Sequence, residues 1–386
     1  MNASVAGRNL VGLAATLGLL GGAAVLLGPV AAGPTSKHRA AAPQPFAQNS
    51  PAWLGQPATV PATAMQLGIR LMAQAASACA ATAFSGAQTV RWWGPAGVTT
   101  DVIQVWHQPG GQLITGPPAA VSGSKSAGLA AADQDAMGIT RQQLALLQDN
   151  FVTIYAGRGS ADGRPARIVQ LWRPDGGLAA IFWLDDATGL PLRRQLYGTA
   201  GGLVSDTEFT SLRVGSSPNS APSARPEPVQ GGEPSQGQPE RSLVRLGWPQ
   251  VVALRSAGWP LPRLLAGDLI LVAAHQMPSA QGRVIELTYS DGLSVISLFL
   301  QRGDLPDQLS DWHPASLAGR RLYVSDADGR IMAWSARGYV YSMIADAPRP
   351  TVAHAVAGLP QDRSVGMFAR MGRGLRRLVS WANPFR

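Results

Sequence analysis

Between Asn150 and Val214 the chain repeats one pattern five times: a run of β-branched, aromatic and long apolar residues, then a short turn. The runs begin at Phe151 (FVTIYAG), Arg164 (RPARIVQLWR), Leu178 (LAAIFWLD), Leu190 (LPLRRQLY) and Leu203 (LVSDTEFTSLRV). Pro174-Asp175-Gly176-Gly177 presets φ with a proline and supplies glycines that tolerate positive φ. Asp186-Ala187-Thr188-Gly189 and the stretch from Gly198 to Gly202 are equally short. Links of this length pair neighbouring strands antiparallel, because parallel strands need long crossovers. The segment therefore predicts an antiparallel ladder. Its polar–apolar alternation is imperfect: Ile168 and Trp172 point one way, Val169 and Leu171 the other, so both faces need cover.

The flanks organise around this ladder. Residues 1–33 start with Arg8 and continue uncharged, with Val30-Ala31-Ala32 fitting a signal-peptidase site. The same run is long enough, at roughly 20 residues, to span a bilayer as an uncleaved anchor. Both readings stay open, and both export the chain. A Pro/Ala/Gln-rich tether occupies 34–62 and is expected to be disordered. From 63 to 83 the apolar spacing predicts a helix, which Gly68 weakens. Strands are expected at 87–93, 100–108 and 112–115, then a mobile loop over 122–138 and a helix over 140–147 capped by Thr140. Residues 216–241 hold six prolines and no aromatic residue, a linker composition. The first domain is thus 63–215 and a second, smaller one 242–360. In the second, helices are expected at 249–257 and 350–357, with strands at 269–274, 283–289, 293–301, 320–325, 330–335 and 339–345. Ser290-Asp291-Gly292 is expected to be a tight hairpin turn.

Of 32 basic residues only Lys37 and Lys125 are lysine, and the +9 net charge is not spread over a face. Six arginines in 363–386, without an acid, supply most of it, so nucleic acid is not the expected partner. The single cysteine, Cys79, excludes an intrachain disulfide and a thiolate metal cluster, and lies in a helical pattern as a small core residue. There is no G-x-S-x-G, H-E-x-x-H or Walker sequence. Gly157-Arg158-Gly159 with Gly163 misses the dinucleotide spacing and is placed in a hairpin loop. The five histidines are isolated, and Asp185-Asp186 and Asp326–Asp328 flank turns, where aspartate binds backbone. The expectation is a protein without catalytic residues, metal or cofactor.

Two features carry the functional signal. Eleven tryptophans is a high count, and several fall in strands of the first domain. They are either core residues, or Trp92, Trp106, Trp172 and Phe182 supply walls of an apolar cleft for an acyl chain. The tail, 361–386, places Phe368, Met371, Leu375 and Leu378 on one helical face and Arg373, Arg376 and Arg377 on the other. Such a helix suits a membrane surface or a partner protein, or docks on its own second domain.

The segments FWLDDATGLPLRRQLY, FTSLRVG, ELTYSDGLSVISLFLQRG and YVYSMIADAPRPTVAHAVAGLP, with the proline linker between the second and third, resemble the MucB/RseB proteins in their actinobacterial form. The resemblance covers roughly residues 70–365. It implies an α+β fold: a LolA-like antiparallel half-barrel over helices, then a smaller, mainly antiparallel domain. It also implies an extracytoplasmic, non-enzymatic negative regulator of an envelope-stress sigma factor. Its partner would be a membrane-spanning anti-sigma factor, contacted largely by the second domain, with a lipid or lipoprotein in the N-terminal cleft. The uncleaved-anchor reading and the arginine-rich tail depart from the family. A lipid or lipoprotein carrier of the cell envelope is the alternative.

Overall fold

The computed structural model describes residues 60–94, 97–110, 113–116, 137–215, 244–279, 282–305, 312–325 and 329–360. The N-terminal unit opens with helix α1 (Ala62–Ala81), followed by strands β1 (Phe84–Gly94), β2 (Gly97–His107) and β3 (Ile114–Gly116). Helix α2 (Arg141–Asn150) leads into β4 (Val152–Ala161), β5 (Arg164–Trp172), β6 (Leu178–Asp185), β7 (Pro191–Tyr197) and β8 (Leu203–Val214). These eight strands form one antiparallel sheet in the order β3-β2-β1-β8-β7-β6-β5-β4. β3 and β4 are its two edges, so the sheet is an open half-barrel and not a closed barrel.

Local chemistry explains most of these elements. In α1, Leu71, Met72, Ala75, Ala76 and Cys79 are buried, the three-to-four spacing of one helical face. Gly68 strengthens this helix's docking. A Cβ there would lie 2.9 Å from the Tyr155 backbone nitrogen, so only glycine lets α1 approach β4 so closely. Thr140 caps α2 in a reciprocal box: its side chain accepts from Gln143 N, and the Gln143 side chain accepts from Thr140 N. The expected turns contain Gly176 (φ 88°), Gly189 (φ 78°) and Gly201 (φ 77°), all left-handed. Gly157 and Gly159, expected in a hairpin loop, lie inside β4; the turn itself is at Asp162 and Gly163, and the strand bulges between Tyr155 and Gly157.

Beyond residue 243 come β9 (Val244–Arg245), helix α3 (Trp248–Ser256), β10 (Leu264–Leu265), β11 (Leu269–Ser279), β12 (Gly282–Ser290) and β13 (Val295–Arg302). They are followed by β14 (His313–Leu317), β15 (Arg320–Val324), β16 (Ile331–Ala336), β17 (Tyr339–Asp346) and helix α4 (Arg349–Gly358). The described pairings in this nine-stranded sheet are antiparallel, in the order β10-β11-β12-β13-β17-β16-β15-β14 with β9 beside β11. One face packs on α3 and α4 through Val251, Leu254, Ile285, Leu298, Tyr341 and Val356. Strands β9, β10 and β14 were not expected: two are two-residue pieces, and the third, HPASL, carries a proline and lies at the edge. No described helix is long and apolar enough to cross a membrane. Residues 1–33, the linker and the tail with Phe368, Met371, Arg373, Leu375, Arg376, Arg377 and Leu378 lie outside the described residues.

Candidate functional site: the seam between the two sheets

The two faces of the N-terminal sheet are covered by different means. On the helix side, Val169, Leu171, Phe182 and Leu184 pack against α1 and α2. Further along the same side, Trp92, Val90, Ile103 and Val105 close over Cys79 and Met137. Cys79 is inert there: burial pushes its thiol up to about 11, against a hydrogen bond involving the Ile139 backbone that acts to lower it. On the outer face Ile168, Ile181, Trp183 and Leu192 form a second apolar layer that none of the described helices joins. The sheet's own long side chains cover that layer. Arg193 lies over the Trp183 ring at 5.0 Å and donates to Asp206 at 2.8 Å, so its stem shields the indole while its charge is paired. Arg164 forks onto Asp185 at 2.9 and 2.8 Å. Burial acts to raise the Asp185 carboxyl, but hydrogen bonds from Arg164 and Thr188 outweigh it and hold the pKa below the usual carboxylate value.

The four aromatic residues expected to line one cleft are divided between these faces. Trp92 and Phe182 are buried on the helix side. Trp106 alternates with Val105 and Trp172 with Leu171, which turns both towards the outer side, half-buried. Trp172 Nε1 donates to its neighbour Gln170. A single concavity therefore receives two of the four. Bulges at Tyr155/Gly157, Leu171/Trp172 and Trp183/Leu184 shift which residues share a face, and such shifts cannot be counted from composition.

The concave side is occupied by the C-terminal unit. The β12–β13 tip is built to be stiff: Asp291 Oδ1 accepts from Leu293 N at 2.8 Å and Ser294 N at 2.6 Å, and Ser290 Oγ accepts from Gly292 N at 2.9 Å. This tip enters the first unit. Leu293, 5% exposed, belongs to the core cluster of α1, β5 and β6. Gly292 has φ 101°, and a Cβ on it would stand 2.8 Å from Leu147 N in α2. Asn150 Nδ2 donates to Asp291 O at 3.0 Å, and Gln142 Nε2 to Val272 O at 3.3 Å. Nearby, the Arg330 guanidinium sits 3.9 Å from the centre of the Trp92 ring. Arg194 of β7 faces Asp346 of β17 at 3.6 Å, with side chains 9% and 0% exposed. Phe182, Met137, Ile139, Leu147, Pro191, Arg194 and Gly292 surround a cavity of about 10 Å³, the room of one water. Met137, expected in a mobile loop, is 2% exposed.

Asp291 supplies a pH dependence. Burial raises its carboxyl pKa above the ordinary aspartate value, against the hydrogen bonds from Ser294 and Leu293; Asp268 acts in the same direction as burial. A raised folded-state pKa stabilises fully below the unfolded value, about 3.9, and that contribution is lost as pH rises through the folded value. Asp291→Asn keeps the Oδ1 acceptor and has no charge to bury. Its melting temperature should exceed the wild type's at pH 7, with the gap narrowing towards pH 4. A gap that widens on acidification would refute this assignment.

Elsewhere, His275 is not isolated: its Nδ1 lies 3.4 Å from Glu286 Oε2 across β11 and β12. Burial raises the Glu286 pKa, opposed by His275. Among the described residues no group of three His, Cys, Asp or Glu side chains could hold a metal ion.

Fold and seam together define a class: an open antiparallel half-barrel over helices, its concave side met by a second antiparallel sheet. The model of the MucB/RseB N-terminal domain matches residues 125–229. Comparison with curated proteins returned no match. A crystal structure of MucB is similar at 17% identity, covering 77% of this chain and 98% of that one, with a TM-score of 0.43. The MucA/MucB complex of Pseudomonas aeruginosa is similar at 17% identity over 77% and 99% of the two chains, with a TM-score of 0.40. A LolA superfamily protein from Nitrosomonas europaea is similar at 12% identity over 38% and 92%, with a TM-score of 0.19.

Proposed function

We propose that this chain is an extracytoplasmic negative regulator of an envelope-stress sigma factor, acting by binding the outer-facing part of a membrane-spanning anti-sigma factor. The observation that carries the reading is the MucB/RseB N-terminal domain at 125–229. The segments of the second unit that resemble the same family support it. They are ELTYSDGLSVISLFLQRG, which forms β12, the docking tip and β13, and YVYSMIADAPRPTVAHAVAGLP, which forms β17 and α4. The N-terminal concavity is the site for a lipid or lipoprotein signal. Support for that part is Phe182 and Trp92 on the concave side, with Phe182 in the wall of the cavity. With Leu293 in place there is room for about one water, so an acyl chain enters only when the tip withdraws. Export, by a cleaved or a retained N-terminal segment, places both ligands within reach.

Deleting the gene should raise transcription from the promoters of the cognate sigma factor, and a tagged chain should retain a membrane-spanning anti-sigma factor from solubilised membranes. Unchanged transcription under envelope stress, together with no such partner, would defeat the regulatory reading.

A further inference from the structure

Arg194 is a buried cation at the seam whose hydrogen bonding the docked arrangement leaves incomplete. It is 8% exposed, and its buried Nε and Nη2 have no hydrogen-bond partner among the described residues. Its facing carboxylate, Asp346, stays 3.6 Å away, beyond hydrogen-bond reach. A buried guanidinium ordinarily takes a carboxylate or phosphate with two parallel bonds. Around it the cavity wall is apolar: Met137, Ile139, Leu147, Phe182 and Pro191, with Gln143 as the other polar side chain. A cation at one end of an apolar wall is the complement of an amphiphile with an anionic head.

The C-terminal unit presents that same combination. Leu293 fills the apolar side, and Asp346, cross-strand partner of Val295 two residues further on, approaches the arginine. We propose that Arg194 is the head-group site for a long-chain acyl anion, and that Leu293 and Asp346 hold the site as its internal substitute. The ligand's anionic oxygens take two hydrogen bonds from Arg194, closer than the 3.6 Å at which Asp346 faces it, and its chain takes the place of Leu293. Binding therefore releases the second unit. This inference rests on the lipid reading above and names the chemistry of that ligand.

The test uses the full chain and three sixteen-carbon probes: the carboxylate, the alkyl phosphate and the neutral alcohol. Both anions should bind more tightly than the alcohol, and the stronger of the two identifies the natural head group. Arg194→Met should weaken the anions about a hundredfold or more, the value of two lost charged hydrogen bonds, and leave the alcohol unchanged. Asp346→Asn should tighten the anions, because it removes the competitor. A purely structural ion pair would move both variants in the same direction, so opposite signs are the discriminating result. Retention of near-UV circular dichroism shows that each variant is folded. Equal binding of all three probes, unaffected by Arg194→Met, overturns the head-group site while keeping the lipid reading. No binding of any probe overturns both and leaves the anti-sigma partnership standing on its own test.

Discussion

Asp346→Ala should cost about 3–5 kcal/mol in chemical denaturation, because it leaves the buried Arg194 guanidinium with no opposite charge. The pair is taken almost wholly out of water, with side chains 9% and 0% exposed. Removing one charge therefore leaves the other to bear its desolvation alone. The double variant Arg194→Met/Asp346→Ala should recover most of the loss, since an apolar pair of similar volume carries no such penalty. The double-mutant cycle isolates the coupling. Two losses that simply add would show that the residues do not interact.

Gly292→Val should separate the two sheets while leaving each folded. At φ 101° a β-branched residue is strained by about 1–3 kcal/mol. Its Cβ would also collide with the Leu147 backbone nitrogen at 2.8 Å, and a helix backbone cannot move aside as a flexible side chain can. The available relief is withdrawal of the tip. That forfeits the burial of Leu293, worth about 1.5–3 kcal/mol. Solution scattering should show a larger radius of gyration, and far-UV circular dichroism should be unchanged. A compact Gly292→Val protein would mean that the tip is not what holds the units together. The same substitution at Gly282, which has φ 117° but nothing within 4 Å of its Cβ, carries strain without a collision and is the control.

The ladder from β4 to β8, its turns and the capping box of α2 were legible in the residues, because each depends on partners only a few positions away. Gly176, Gly189 and Gly201 adopt the left-handed conformations that short hairpins need, and Thr140 reaches only as far as Gln143. Two-sided apolarity was equally visible, since it is a property of composition along single strands. What covers each face was not. Helices take one side and the sheet's own arginines the other, a division set by contacts such as Arg193 with Asp206 and Trp183.

The seam had no local signature. Gly68 read as a flaw in a helix until Tyr155 stood 2.9 Å from its missing Cβ. Ser290-Asp291-Gly292 read correctly as a turn, with no sign that Leu293 beyond it belongs to the core of the other sheet. Arg194 is one of 30 arginines, the 32 basic residues less two lysines; it becomes singular only when β17, about 150 positions away, brings Asp346 opposite it. Side-chain periodicity and turn chemistry are short-range and survive in one dimension. Which buried charge meets which, and which face a bulged strand presents, are decided by register and docking between distant segments, where a shift of one residue exchanges inside for outside.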